Sequence, residues 1–247
     1  AIVAALALAA CGAAYDAPRA IELPPEVTVS TLPAVATREC RNDDPSLPAI
    51  TSYTPDAAVT PPGQFLTGSF MDRIRQAGKL KVGTSIDTQL FSAVNPETNR
   101  IEGFDVDMTK LVALAIFGGS WADIDAKLDL RGITYAQRIP KVSSGEVDIV
   151  AHTMTINCAR WQQVAFSGVY LYAGQRLLVA KGSEVTDIRE LAGKTVCVSA
   201  GGTSADEMRS LAVEPPIEVI EVDNQTDCVV KFQQGDADAI RSDDTVL

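Results

Sequence analysis

One pattern constrains the fold of this chain more than any other, and it occurs twice. "GKLKVGTS" (residues 78–85) and "GKTVCVSAGGTS" (193–204) each run Gly-Lys, an apolar strand, then small polar residues. "SSGEVDIVAHTMT" (143–155) and "QQGDADAIRSDDT" (233–245) each run a glycine stop, acid-x-Asp, an apolar strand, then a polar tip. Asp148 stands five residues before Thr153, and Asp238 five before Asp243. Strands alternating with helices predict two similarly built α/β units with mainly parallel sheets, near residues 78–156 and 193–243. In open α/β sheets ligands bind beyond the carboxyl ends of strands. Both units carry hydroxyls and carboxylates there, so two lobes facing across a cleft is the expected architecture.

The local signals fill in this frame. Folded structure is expected to begin near Gln64. "FLTGSFMDRIRQAG" places Phe70, Ile74 and Ala77 at helical spacing, with Gly78 as the stop. In "GFDVDMTKLVALAIFG" Asp105 suits a helix cap and Asp107 the first turn. Met108, Leu111, Val112 and Ala115 then form one apolar face. "TYAQRIPKVSSG" reads as a short helix interrupted by Pro140 and closed by Gly145, and "EVDIVAHTMT" as a strand.

Upstream the composition changes. "AIVAALALAACGAAYDAP" is apolar up to Cys11, and "LAAC" resembles a bacterial lipobox, which implies a lipid thioether on Cys11 and cleavage before it. This signal-peptide remnant, residues 1–11, is too short to span a bilayer as a helix. Residues 12–63 are rich in Pro, Ala, Thr and Asp without periodicity and read as a disordered tether. Export makes the cysteines informative. Setting Cys11 aside from the five leaves Cys40, Cys158, Cys197 and Cys228, an even number that suggests two disulfides in one of three connectivities. With no C-x-x-C and a single histidine, no metal site is expected. A net charge of -11 without a basic stripe argues against a nucleic-acid partner.

Three constellations could hold a ligand. Thr153, Thr155 and Arg160 follow a strand end, with Asn157 as a helix cap. They fit two readings equally: capping hydroxyls beside a solvated arginine, or two hydroxyls and a guanidinium fork around a carboxylate. "SAGGTSADEM" brings Gly201 and Gly202 before a helix that opens with Thr203 and Ser204. It lacks the lysine of a phosphate loop, and a tight turn with an N-cap explains it alone. Asp243 and Asp244 could pair with an ammonium or cap a helix. Catalytic options are thin: His152 reads as structural, Asp105 and Asp107 as capping residues, and no nucleophile-base set is visible. An enzyme is not expected.

Taken together, "KVGTS", "GFDVDM", "SSGEVDIVAHTMTINCARWQQVAFSGVYLYAGQRLLV", "DIRELAGKTVCVSAGGTS" and "CVVKFQQGDADAIRSDDTVL" resemble the polar amino-acid solute-binding proteins of ABC importers. This is family 3, of the type II periplasmic-binding-protein fold. The likeness is above all to actinobacterial glutamine/glutamate-binding lipoproteins of the GlnH and GluB kind, and it covers roughly residues 64–247.

The resemblance implies a two-lobed flytrap. Lobe one would span 64–172 and the chain would cross near "VYLYAGQ" into lobe two, 173–243. Residues 244–247 would start the return to lobe one, leaving it C-terminally truncated here. Arg160 matches the arginine that forks onto the ligand α-carboxylate, with Thr153 and Thr155 as its partners. Asp243 matches the carboxylate for the α-ammonium, and Thr203 a lobe-two donor. Arg138 matches an arginine that meets the side-chain carboxylate in glutamate/aspartate binders. Ser85 and Tyr135 fall at cleft positions. Two features depart from the family pattern: Ala159 replaces an acid beside Arg160, and Thr88, with Phe91 three residues on, falls where a covering aromatic is common. Cys40 and Cys158 resemble a pair tying the tether to lobe one, and Cys197 and Cys228 a pair joining a lobe-two strand to its next helix. The implied protein is a monomeric receptor without cofactor, lipid-anchored on the extracytoplasmic face of a bacterial membrane. It would bind glutamate or aspartate, then asparagine or glutamine, and deliver the amino acid to an ABC permease. The alternative is a sensor signalling to a membrane partner.

Overall fold

A computed structural model describes residues 61–247. The lipobox Cys11, the tether up to residue 60 and Cys40 lie outside the described residues. Among the described residues no helix is long and apolar enough to cross a membrane.

The first helix, α1 (Phe70–Ala77), is fixed at both ends by its sequence. The Ser69 hydroxyl accepts the Asp72 N–H, satisfying one orphan donor of the first turn, and the Asp72 carboxylate accepts the N–H of Gly68 just before the cap. Gly78 closes the helix in the left-handed conformation, as Gly235 closes the last one. After α1 come β1 (Leu80–Thr84), three short strands β2 (Asp87–Thr88), β3 (Ser92–Asn95) and β4 (Arg100–Glu102), then α2 (Phe104–Phe117). Next follow β5 (Leu128–Gly132), α3 (Arg138–Ser143), β6 (Ile149–Val150) and α4 (Cys158–Trp161). The second half holds β7 (Gln175–Val179), β8 (Thr195–Ser199), α5 (Thr203–Ser210), β9 (Glu218–Val222), α6 (Gln225–Gln234) and β10 (Ala239–Asp243).

Two mainly parallel sheets carry the molecule. The first has the order β5-β1-β6, all parallel. Ile74 of α1 and Ala113 and Ile116 of α2 pack with Leu80, Val82 and Leu128 in its core. The second has the order β7-β10-β8-β9, parallel except for β7. Successive side chains of β8 point to opposite faces. Val196 and Val198 therefore meet Ala205 and Met208 of α5, while Cys197 meets Cys228 of α6. The repeated acid-x-Asp has one structural meaning in both units. The Asp148 carboxylate accepts the Lys81 N–H at 2.8 Å, and the Asp238 carboxylate accepts the Thr195 N–H at 2.9 Å. Each aspartate pins the entry of its unit's central strand, so the strand tips opposite are held in register.

The structure corrects several local expectations. The buried face of α2 is Val106, Thr109, Ala113 and Ile116, while Leu111, Val112 and Ala115 are exposed. The second half of this helix is apolar all round, so periodicity could not choose its face. Asp105 is not the cap of α2: Gly103 stands at the N-cap and makes no side-chain bond, while Asp105 is buried. Pro140 does not interrupt α3 but sits in its first turn, where a proline is tolerated. Only Ile149 and Val150 of "EVDIVAHTMT" pair as strand, because the chain turns at Thr153. The antiparallel sheet β2-β3-β4 was not expected at all; strands of two to four residues carry no readable alternation.

Cys197 and Cys228 are joined in a disulfide 31 residues apart in sequence. Closing a loop of that length is worth about 3–4 kcal/mol on the chain-entropy account. The helix it reaches is α6, the second after β8 and not the next one. Cys158 is also disulfide-bonded, and its expected partner, Cys40, lies outside the described residues.

Candidate functional site

The strand tips of both units meet at one place, and the turn at Thr153 is its most constrained part. Thr153 has φ +40°, unfavourable for a β-branched residue, so its surroundings must hold it. The buried Asp105 carboxylate accepts the Thr153 N–H at 2.9 Å and the Tyr170 hydroxyl at 2.8 Å. Burial raises the pKa of this carboxyl, opposed by the Thr153 and Tyr170 bonds and the charge of Arg138. Arg138 holds the same turn from the other side. Its Nε donates to the Tyr135 carbonyl, and its Nη1 donates to the carbonyls of His152 (3.0 Å) and Thr153 (3.4 Å). Its guanidinium lies over the Tyr135 ring, whose hydroxyl is 3.4 Å from the Thr153 hydroxyl.

Arg160 approaches the same point from α4. Asn157 caps that helix and accepts the Arg160 N–H, as its sequence position suggested. Arg160 Nη1 donates to the Thr155 carbonyl at 2.7 Å. Its Nη2 donates to the Gly201 carbonyl at 3.2 Å, and Arg138 Nη2 donates to the same oxygen at 3.0 Å. One neutral carbonyl thus faces two buried cations. Burial, and then the charge of Arg160, pull the pKa of Arg138 down to about 9. Burial also lowers that of Arg160, opposed by Asp206 and Asp243. Two guanidiniums sharing one acceptor in a buried site would be better matched by a carboxylate, which offers more lone pairs and a compensating charge.

The second unit supplies the opposite wall. The Thr203 hydroxyl, at the start of α5, lies 3.3 Å from that of Thr155. The Asp243 carboxylate ends β10 and accepts from Gln175 Nε2 at 2.5 Å, while the Ser204 hydroxyl donates to Gln175 Oε1 at 2.6 Å. Burial raises the Asp243 pKa, opposed first by the Gln175 bond. The space enclosed is about 20 Å³, room for a water molecule. Tyr135, Arg138, Thr153, Thr155, Thr203 and Asp243 line it, and Arg160 reaches it through the Gly201 carbonyl.

Ser85 is not brought to this wall. It is buried, and its hydroxyl bonds to Asp87 and Thr88 within its own loop. Phe91 is buried, stacks edge-on against Phe104 and is not among the residues lining the cleft. Ala159 is exposed, and Arg160 rests on the Thr155 carbonyl in place of a neighbouring acid. Sequence reasoning missed Gln175, Ser199 and Gln225, which also line the cleft, and the positioning role of Asp105. It also missed Asp87, whose carboxylate reaches across to accept from the N–H and hydroxyl of Thr226. Among the described residues no group of His, Cys, Asp or Glu is placed to hold a metal ion.

His152 lies behind this site, 1% exposed, with Nε2 donating to the Ile133 carbonyl. Burial, and then the charge of Arg138, hold its pKa down from 6.5 to about 4. Between those values the unfolded chain binds a proton that the folded chain does not. Stability is therefore lost as pH falls from 6.5 to about 4, by on the order of 3 kcal/mol. Melting curves of His152→Gln across this range should be flatter than those of the wild type; parallel curves would show that His152 does not carry the effect.

Comparison with known proteins places the chain in context. Residues 80–247 match the family model described as bacterial extracellular solute-binding proteins, family 3. The glutamine-binding protein of Geobacillus stearothermophilus is 38% identical over 72% of this chain and 65% of its own length. The glutamate-binding protein GluB of Corynebacterium glutamicum is 33% identical over 69% of this chain and 57% of its own length. The chain thus spans less than two thirds of these relatives. Among solved structures, the holo ArgBP of T. maritima superposes with a TM-score of 0.62 at 33% identity, covering 71% of this chain and 73% of that one. The fold they share is the type II periplasmic amino-acid-binding architecture.

Proposed function

From the premise that this chain belongs to the bacterial extracellular solute-binding proteins, family 3, we propose that it is a receptor for glutamine or glutamate serving an ABC importer. The observation that carries the reading is the convergence of Arg138 and Arg160 on one oxygen, with Asp243 on the facing wall. An α-amino acid carries one carboxylate and one ammonium, and this pair of charges fits that arrangement. Arg160 holds the α-carboxylate, Thr155 and Thr203 add hydroxyls, Asp243 takes the ammonium, and Arg138 fixes the Thr153 turn and faces the ligand with its remaining edge. The names of the relatives, glutamine-binding and glutamate-binding, favour these two ligands.

The proposed lobes are residues 64–172 and 173–243. An amino acid is several times larger than the enclosed space, so the lobes part for it to enter. Both guanidiniums then exchange the neutral Gly201 carbonyl for an ionised acceptor, which forms hydrogen bonds roughly twice as strong. The ligand shifts an open-closed equilibrium by binding one state better. Cys11 would bear the lipid, and residues 12–63 would link it to the lobes on the extracytoplasmic face. A thermal-shift screen of the twenty amino acids on the full-length protein tests the reading. Glutamine and glutamate should each raise the midpoint by several degrees at a concentration about a thousandfold above Kd. A flat response to all twenty would sink it.

A further inference from the structure

Gln225 opens α6, lines the cleft and is 5% exposed, yet only half of its amide is used. Its Oε1 accepts from the Ser199 hydroxyl at 2.7 Å. Its Nε2 is buried and has no hydrogen-bond partner among the described residues. Turning the amide over exchanges the two ends and leaves one still unpaired, since Ser199 can satisfy only one. Unpartnered buried polar groups are uncommon and need an explanation. Of the other such atoms, only Arg241 Nε belongs to a residue lining this cleft, and the Arg241 guanidinium is engaged by Glu207.

The neighbourhood says what the missing partner is. In the orientation the structure shows, Ser199 donates to Oε1, so the free end is a donor and its partner an acceptor; with the amide turned over Ser199 would accept, and the free oxygen would need an N–H, which a carboxamide supplies and a carboxylate does not. The next residue, Thr226, is bonded by the Asp87 carboxylate from the opposite unit. A side-chain carboxamide offers an oxygen to Gln225 without adding negative charge beside Asp87. A side-chain carboxylate offers the oxygen but repels Asp87. We propose that Gln225 is a specificity-determining residue whose free amide N–H donates to the side-chain oxygen of the bound amino acid, in a setting that favours glutamine over glutamate. The inference rests on the receptor reading above.

Calorimetry with glutamine, glutamate and norvaline, which has no side-chain oxygen, separates the two. Gln225→Leu should weaken glutamine binding about tenfold or more, the value of one good hydrogen bond, and change norvaline by about twofold at most. Gln225→Glu should weaken glutamate more than glutamine, because it sets a second carboxylate against the ligand's own. Unchanged glutamine affinity in both variants, or equal loss of glutamine and norvaline in Gln225→Leu, overturns this inference alone. A wild-type protein that binds none of the three overturns the receptor reading and this inference with it.

Discussion

Arg160→Ala is expected to weaken amino-acid binding by at least about thirtyfold while leaving the fold in place. Arg160 is 7% exposed, and among the described residues its guanidinium bonds to the Thr155 and Gly201 carbonyls and forms an ion pair with no carboxylate. Its charge is thus left for a ligand to neutralise. Truncating one partner of a buried, hydrogen-bonded charge pair costs about 2–5 kcal/mol, roughly thirty- to several-thousand-fold in Kd. Arg160→Lys keeps the charge but loses the fork, and should fall between wild type and alanine. The measurement is calorimetric titration with glutamine and glutamate, beside a circular-dichroism melt. Wild-type affinity in a folded Arg160→Ala protein would remove Arg160 from the site and the carboxylate reading with it.

Gly201→Val should force the two units apart. Gly201 has φ +75°, a left-handed conformation that costs a side-chain-bearing residue about 1–2 kcal/mol. The larger obstacle is contact: a Cβ there would lie 2.8 Å from the Ala136 Cα and 3.1 Å from the Ala136 nitrogen. These are backbone atoms of the opposite unit and cannot swing away as a side-chain end could. Relief comes only by withdrawing the 200–202 loop, which takes the Gly201 carbonyl off both arginines. Small-angle scattering should show a larger radius of gyration for Gly201→Val than for wild type, with faster amide exchange at Ala136. Identical scattering would show that the units do not close directly on this loop.

How far the sequence disclosed this site depends on the range of each interaction. Asn157 capping α4 and Gly78 ending α1 are local events, and local spacing announced them. The twin aspartates, Asp148 and Asp238, were visible because each unit repeats the motif, although the bonds they make reach 67 and 43 residues back. Asp105 was misread for the opposite reason. A carboxylate at the start of a helix has an adequate local explanation, and its true partners, Thr153 and Tyr170, lie 48 and 65 residues on. Gln175 and Gln225 had no local signature: each is a neutral amide whose meaning comes from a partner, Asp243 or Ser199, brought near by sheet register and helix packing. Family likeness supplied Arg138, which spacing could not, and chose the ammonium reading of Asp243 that spacing had left open beside a helix cap. It also supplied Ser85, whose hydroxyl turned out to be occupied within its own loop.

The bond between Cys197 and Cys228 ties the strand that carries Ser199 to the helix that carries Gln225. One cysteine lies two residues before the serine and the other three residues after the glutamine. The distance that aims the Gln225 amide is therefore under covalent control as well as packing. Reducing the bridge would leave that spacing to packing alone, so thiol and disulfide forms of the same sequence are expected to differ in how they hold the Gln225 amide.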